Sequence, residues 1–504
     1  MTAARWTRAG AALGAMTLPA AALAQSAAGE PAVRLTPVVV TATRTEVPAF
    51  DVPASIDRVG SETIHEGKPQ INISESLGGV PGLLARDRQN YAQDVQLSIR
   101  GFGARSTFGI RGVRLYVDGI PATLPDGQGQ ITNVELGSAD RIEVLRGPFS
   151  ALYGNSSGGV IQVFSEEGRG EPTLSAGGSL GSFDTRRVAA KASGANGSFG
   201  YVVGASVFKT DGYRDHSEAE RQLGNAKLTW LPDSASKLTF IVNRLDLPKA
   251  QDPLGLTRAQ MEADPRSVDP SAETFNTRKT VDQTQVGAIY ERNFDAANSM
   301  RLLVYGGQRD TEQFQSIPVA TQGNPLHPGG VISLDRDYYG TDLRWSTKAA
   351  LGEMPFGLVA GLAYDALQEK RRGYQNFEGT TLGVKGALRR DERNDVDNFD
   401  QYLQASLQIT PRWSANAGVR HVHVSFDSDD RYIVGTNPDD SGSVSYSATL
   451  PVVGVMFAAS DSVHLYATAG RGFETPTLNE LAYRPDGLTG LNLGLKPARS
   501  ASVE

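Results

Sequence analysis

The chain has 504 residues, a formal net charge of −7, 39% hydrophobic residues and no cysteine. That length exceeds one ordinary domain, and the lack of cysteine excludes disulfides, thiolate metal sites, a cysteine nucleophile and a lipoprotein anchor. No lysine- or arginine-rich run supports nucleic-acid binding. Beyond the N-terminus no stretch reaches the roughly 18 apolar residues of a membrane helix, a test that a β-barrel escapes because its lipid-facing and lumen-facing residues alternate.

Residues 1–24 read as a secretory signal peptide: Arg5 and Arg8 precede an apolar run from Ala9 to Ala24, which ends in the cleavage pattern Ala22-Leu23-Ala24. Residues 25–49 form an N-terminal extension. Its first part, Gln25–Arg34, is small, polar and predicted to be disordered. The run that follows, Leu35 to Arg44, is β-branched and has no neighbouring strand to pair with. A segment like Thr36–Ala42 is suited to joining the sheet edge of another protein, where main-chain hydrogen bonds supply affinity; the alternative is an ordinary first strand of the next domain. Pro37 removes one donor and limits pairing on one side.

Residues 50–168 read as a small α+β domain. Ser55–Val59 is a predicted strand, and Asn72–Leu77 a short helix with Asn72 as N-cap and Glu75 three residues on. Gly78-Gly79 and Pro81-Gly82 stop that helix. Four short apolar strands follow, at Val95–Ile99, Val113–Val117, Ile142–Leu145 and Val160–Phe164, separated by turns such as Arg100-Gly101 and Asp118-Gly119. Arginine is frequent here, while Lys68 is the only lysine between Ser26 and Gly170. A guanidinium stays charged and binds carboxylates bidentately, so Arg100, Arg141 and Arg146, which flank strands, are candidates for ion pairs with acidic residues.

From residue 169 to 504 the texture changes to alternating segments of about ten residues between Asp/Asn/Gly/Pro turns, as in Tyr402–Ile409, where Leu403, Ala405, Leu407 and Ile409 share one face. Tight turns (Leu231–Ala235, Ala459–Asp461) alternate with stretches that read as long polar loops (Asp246–Asp282, Asp310–Asp335, Gln368–Asp397). Short turns on one side and long loops on the other characterise an outer-membrane barrel. Tyr338, Tyr339, Trp345, Tyr364 and Trp413 suit an interfacial aromatic belt or ordinary sheet positions. His421 and His423 share a strand face, as a metal pair or as part of a polar lumen; no metal site is assigned. No dinucleotide loop, phosphate-binding loop or G-x-S-x-G elbow appears, and no enzymatic activity is expected.

The series Leu97-Ser-Ile-Arg-Gly-Phe102, Val117-Asp-Gly119, Ile142-Glu-Val-Leu-Arg-Gly-Pro148, Leu152-Tyr-Gly154 and Gly158-Gly-Val-Ile161 resembles the plug domain of TonB-dependent outer-membrane transporters. The wording around Asp118–Ala122 and Pro125–Gln130 is most similar to the pyrroloquinoline quinone (PQQ) receptor branch, and to ferric-siderophore receptors more broadly. Arg471–Leu481 and Leu495–Arg499 resemble barrel motifs of the same family.

The resemblance implies a mainly β fold, with the plug (50–168) inside an antiparallel transmembrane β-barrel (169–504) in the bacterial outer membrane. Such plugged barrels use about 22 strands. Only twelve or thirteen are readable before the chain stops inside a strand, so a fragment is expected.

It further implies active import of a scarce anionic ligand, a ferric siderophore or a PQQ-type cofactor, by a monomer with no covalently bound cofactor. TonB, with ExbB and ExbD, would supply the energy by gripping a TonB box at Thr36, Pro37, Val38, Val39, Val40, Thr41 and Ala42. The loops Gly103–Arg111 and Ile120–Gln130 would face the outside and hold the ligand through Arg105, Phe108, Arg111, Leu124, Asp126, Gln128 and Gln130. Arg100, Arg141 and Arg146 would lock the plug to the barrel. The competing reading is a passive porin or adhesin barrel, which predicts neither plug nor box.

Overall fold

A computed structural model of the protein describes residues 39–40, 44, 47–105, 109–485 and 489–504. The signal-peptide assignment therefore lies outside the described residues. Val39–Val40 (β1) pairs antiparallel with Val47–Pro48 (β2). This corrects the expectation of an unpaired run: the partner is only two residues long, too short to register as a strand by alternation.

The plug is built on β3 (Ser55–Gly60), β4 (Leu83–Arg86), β5 (Gln96–Ile99), β6 (Val113–Val117), β7 (Ile120–Pro121), β8 (Ala139–Arg146) and β9 (Gly159–Ser165). Five of these form a sheet in the order β3-β8-β9-β6-β7, and β4 pairs with β5 as a separate hairpin. The sheet buries Leu115, Ile142, Val144 and Ile161 against Ile64, Leu77 and Leu97. Asp118 and Gly119, with φ of 51° and 85°, join β6 to β7 as the paired positive-φ turn that matches strand twist.

The short helix spans Ser74–Leu77, and Asn72 does not cap it. Instead the Glu75 carboxylate accepts the N–H groups of Gln70, Ile71 and Asn72, and the Asn72 amide donates to Asp87 at 2.9 Å. A carboxylate satisfies several orphan donors at a helix start better than one amide oxygen does.

The rest of the chain is one antiparallel sheet wrapped around the plug. In chain order its strands are β10 (Thr173–Leu180), β11 (Arg186–Asn196), β12 (Phe199–Thr210), β13 (Ala219–Asp233), β14 (Ser236–Ala250), β15 (Arg278–Asn293), β16 (Asn298–Phe314), β17 (Val331–Leu351) and β18 (Met354–Tyr374). A small hairpin, β19 (Phe377–Glu378) with β20 (Thr381–Leu382), stands apart. The wall then continues through β21 (Leu388–Thr410), β22 (Trp413–Asp430), β23 (Gly442–Ser460), β24 (Val463–Glu474) and β25 (Ala498–Val503). These fourteen strands pair in sequence order, and the sheet is open between β10 and β25.

Two of the fourteen, β10 and β11, were not legible as alternating segments, because Ala, Gly and Ser blur the contrast between faces, whereas β25 is the strand in which the chain stops. The stretches read as long loops are shorter than expected: β14 to β18 and β21 run far into them, with an unbroken ladder such as Arg278↔Phe314 and Val331↔Tyr374. Above the lipid band both faces of the wall meet polar surroundings, so hydropathy stops alternating while backbone pairing persists.

The wall is apolar outside and polar within. Leu403 keeps 44% of its surface exposed, whereas Tyr402 and Gln404 keep 5% and 7%. Outward aromatics pair near the short turns, Phe294 with Trp345 at 5.0 Å and Trp413 with Phe457 at 4.7 Å, in the arrangement of an interfacial girdle. Tyr338 does not belong to it: the ring points inward and its hydroxyl bonds Gln283 and Gln285. His421 and His423 do not line the lumen either. They face outward on β22 and bond Thr449 and Ser447 of β23.

Candidate functional site

The interface between plug and wall is held by buried opposite charges. Asp118, fixed in its turn, accepts Ser165 Oγ at 2.6 Å and the Lys227 ammonium of β13 at 3.0 Å. Glu135 accepts Arg187 of β11 at 2.9 Å, together with Ser206 of β12 and its own Gly137 N–H. Asp94 faces Lys279 of β15 at 3.9 Å. In the opposite sense, Arg114 of β6 reaches Asp365 of β18 at 3.4 Å. No wall partner was assigned to any of these plug residues from sequence. The only local signal was the Asp-Gly turn, which fixes the backbone at Asp118 but names no partner.

Arg44, the last residue of the β-branched run, ties the N-terminal extension to both plug and wall. Its φ is +66°. The guanidinium donates to Leu152 O at 3.1 Å, lies 3.7 Å from Asp342 of β17, and sits over the rings of Tyr402 (4.1 Å) and Tyr153 (4.6 Å). Arg344 of β17 donates to its backbone oxygen at 2.9 Å. Within the segment Thr36–Ala42, only Val39 and Val40 are described, as β1; Thr36, Pro37, Val38, Thr41 and Ala42 lie outside the described residues.

The loops expected to hold ligand meet the wall at its far end. Arg105 is exposed, and Phe108 lies outside the described residues. Arg111 pairs with Glu480 and, at 3.6 Å, with Glu474, and donates to Thr475 O. Leu124, Asp126, Gln128 and Gln130 are buried. Leu124 and Gln128 close a tight turn through a 2.9 Å backbone bond, and the Gln130 N–H donates to Ala122 O at 2.7 Å. The Asp126 carboxylate accepts the N–H groups of Gln128 and Leu478, both at 3.1 Å. Burial raises the Asp126 pKa above its usual range, opposed by the Arg336 guanidinium and those two bonds. Asn155 and Thr475 bond each other twice, at 2.7 and 2.9 Å. The barrel segment Glu474–Leu481 thus clasps the plug apex, with a capping box between Thr477 and Glu480 starting its helical turn at Leu478.

The arginines expected to lock plug to barrel divide. Arg100, at φ +51°, reaches Glu504 beyond β25 at 2.6 Å. Arg141 bonds Glu143 and Asp140 and stacks on Phe164, and Arg146 bonds Asp57 and Pro81 O. These partners of Arg141 and Arg146 all lie within the plug, so neither contact reaches the wall.

The family description "TonB-dependent Receptor Plug Domain" matches residues 48–160, and "TonB dependent receptor-like, beta-barrel" matches residues 185–504. The chain is 23% identical over 410 residues to the metal-pseudopaline receptor CntO of Pseudomonas aeruginosa, covering 73% of this chain and 56% of the relative. It is 25% identical over 446 residues to the rhizobactin receptor of Rhizobium meliloti, covering 74% and 56%. The chain therefore spans little more than half the length of these relatives. Its fold is similar to that of the unliganded ferric citrate transporter FecA, with a TM-score of 0.75 at 22% identity, covering 93% of this chain and 70% of that one.

Proposed function

The chain belongs to the TonB-dependent receptor family, and on that premise we propose that it imports a scarce anionic ligand across the bacterial outer membrane. The family's members are transporters rather than enzymes. The ligand we favour is a metal chelate of the ferric-siderophore kind, because the similar receptors bear the names of metal-pseudopaline, rhizobactin and ferric citrate. A PQQ-type cofactor is the second candidate. Arg105, Phe108, Arg111, Leu124, Asp126, Gln128 and Gln130 contribute the outer site, with Arg111 exchanging Glu480 and Glu474 for anionic groups of the ligand. Arg100 locks plug to wall through Glu504, and Arg141 and Arg146 stiffen the plug edge beside it.

The observation that carries this reading is the Arg44 tether. It joins the segment Thr36–Ala42 to both plug and wall, so a pull on that segment is delivered to Asp342, Leu152 and the plug sheet behind them. Ligand at the outer site shifts the population in which the segment is released to TonB, and TonB with ExbB and ExbD does work on a monomeric receptor. Deleting Thr36–Ala42 abolishes uptake and leaves binding at the cell surface intact; equal loss of both would reject the mechanism. Growth rescue of a transporter-deficient strain by the full-length gene, with ferric siderophores compared against PQQ and a PQQ-dependent dehydrogenase, identifies the ligand class.

A further inference from the structure

Between the plug and the inner face of the wall, on the side of the short turns, lies a cavity of about 880 Å³. The β6–β7 turn borders it through Asp118, Gly119 and Pro121. There Ile120 is fully buried and packs so close to Gly287 of β15 that no side chain fits at that glycine. Eleven lysines and arginines line the cavity against seven aspartates and glutamates, an excess of four positive charges in a chain whose net charge is −7. Asp342 sits among these cations, 3.7 Å from Arg44 and 3.9 Å from Arg301. Arg344 forms no ion pair among the described residues and donates to the Arg44 backbone. Three lining guanidiniums, those of Arg44, Arg114 and Arg420, each keep one buried nitrogen without a hydrogen-bond partner among the described residues. A same-sign excess inside low-dielectric walls focuses field and concentrates counter-ions, and guanidinium forks such as those of Arg301 and Arg344 in the lining match carboxylate and catecholate oxygens.

We propose that this cavity is a second, inner binding site for the transported anion, in which Arg301 and Arg344 hold a polycarboxylate or catecholate chelate after it has passed the Ile120 turn and before its release. The assignment rests on the importer reading. The turn is tied to the wall through Asp118 and Lys227, so movement of the plug opens the cavity beside it, and loss of Arg44 from its seat opens it further while leaving the positive charge of Arg301 and Arg344 in place.

These 504 residues contain no cysteine, so Ser346→Cys, with any cysteine elsewhere in the full-length receptor replaced by serine, places a single thiol in the lining. In the full-length receptor in membranes, this thiol is titrated with an anionic and a cationic methanethiosulfonate, each rate normalised to a free thiol. A preference for the anionic reagent of about tenfold or more is expected from field focusing. Arg301→Gln with Arg344→Gln reduces the preference to near one, whereas Arg344→Lys, which keeps the charge, retains it. Citrate slows modification several-fold. Equal protection by inorganic phosphate at the same ionic strength would reduce the cavity to unspecific charge and overturn the assignment, as would no preference in the parent protein. In cells the Gln pair keeps surface binding and loses most uptake. If parent uptake proves independent of TonB, the importer reading fails whatever the thiol reports; if uptake depends on TonB and the thiol is indifferent to charge, the inner site alone fails.

Discussion

Arg44 shows how one side chain can tie the N-terminal segment to both plug and wall, as the proposed mechanism requires. It is joined to a carboxylate, a carbonyl and two aromatic faces at once, and bonds to a charged group contribute about 1.5–3 kcal/mol each. Arg44→Gln is therefore expected to raise the released population of the preceding segment about 10- to 100-fold; a spin label on Thr41→Cys reads this as a larger mobile fraction, and an unchanged spectrum would show that Arg44 is no tether. At the other end, Asp126 is buried and satisfies two backbone donors. Asp126→Ala leaves the N–H groups of Gln128 and Leu478 unmet, at a cost of about 1–3 kcal/mol, seen as faster hydrogen exchange at Leu478. Because burial raises this pKa, the folded state holds the proton more tightly than the unfolded chain. The associated stability is complete below the ordinary carboxyl value of about 3.9 and fades as pH rises through the folded value. Asp126→Asn flattens that slope, as a pH series of apex protection checks.

Individual strands owe their fit to residues whose role is invisible one strand at a time. Gly361 of β18 stands opposite Tyr402 of β21, and the ring lies across the glycine, where any Cβ would overlap it. The same ring bonds Asp342 at 3.0 Å and carries Arg44, so it has nowhere to retreat. Gly361→Val should cost about 1–3 kcal/mol by overpacking, lowering the unfolding temperature of the wall and loosening Arg44 together. Across the interface, Glu135 supports Arg187 and Ser206 from a buried position. Glu135→Gln strands a buried guanidinium, which costs about 3–5 kcal/mol, and plug protection from exchange near β11 and β12 should fall accordingly. The helix at Ser74–Leu77 was legible from its stop signals, but its cap was not: Asn72 fits the preferred residue types, and the three donors converging on Glu75 are a property of how the chain folds back over Gln70 to Asn72.

For the whole molecule, the proposed import requires the plug to be held firmly yet releasably. Asn155 and Thr475 bond reciprocally between plug and wall, and no native thiol lies in these 504 residues to interfere. Asn155→Cys with Thr475→Cys, oxidised, should leave surface binding intact and stop uptake, with restoration by reductant; uptake through the oxidised pair would mean that the plug need not leave this part of the wall.

Five of the seven plug strands (β3, β5, β6, β8 and β9), the Asp-Gly turn and the alternation of the wall were present in the sequence because they follow from local backbone preference and a hydropathy period of two; β4 and β7 are too short to show one. Which face of the wall is interior was equally readable, once apolar residues are taken to face lipid. The tertiary structure alone decided the partners of the charges. Asp118 meets Lys227, Glu135 meets Arg187 and Arg44 meets Asp342, pairs separated by tens to hundreds of residues, whose apposition depends on how the plug is seated in the wall. Coulomb attraction acts through space rather than along the chain, so such pairs leave no periodic trace in sequence, and neither does a cavity that is defined only by the surfaces that fail to meet.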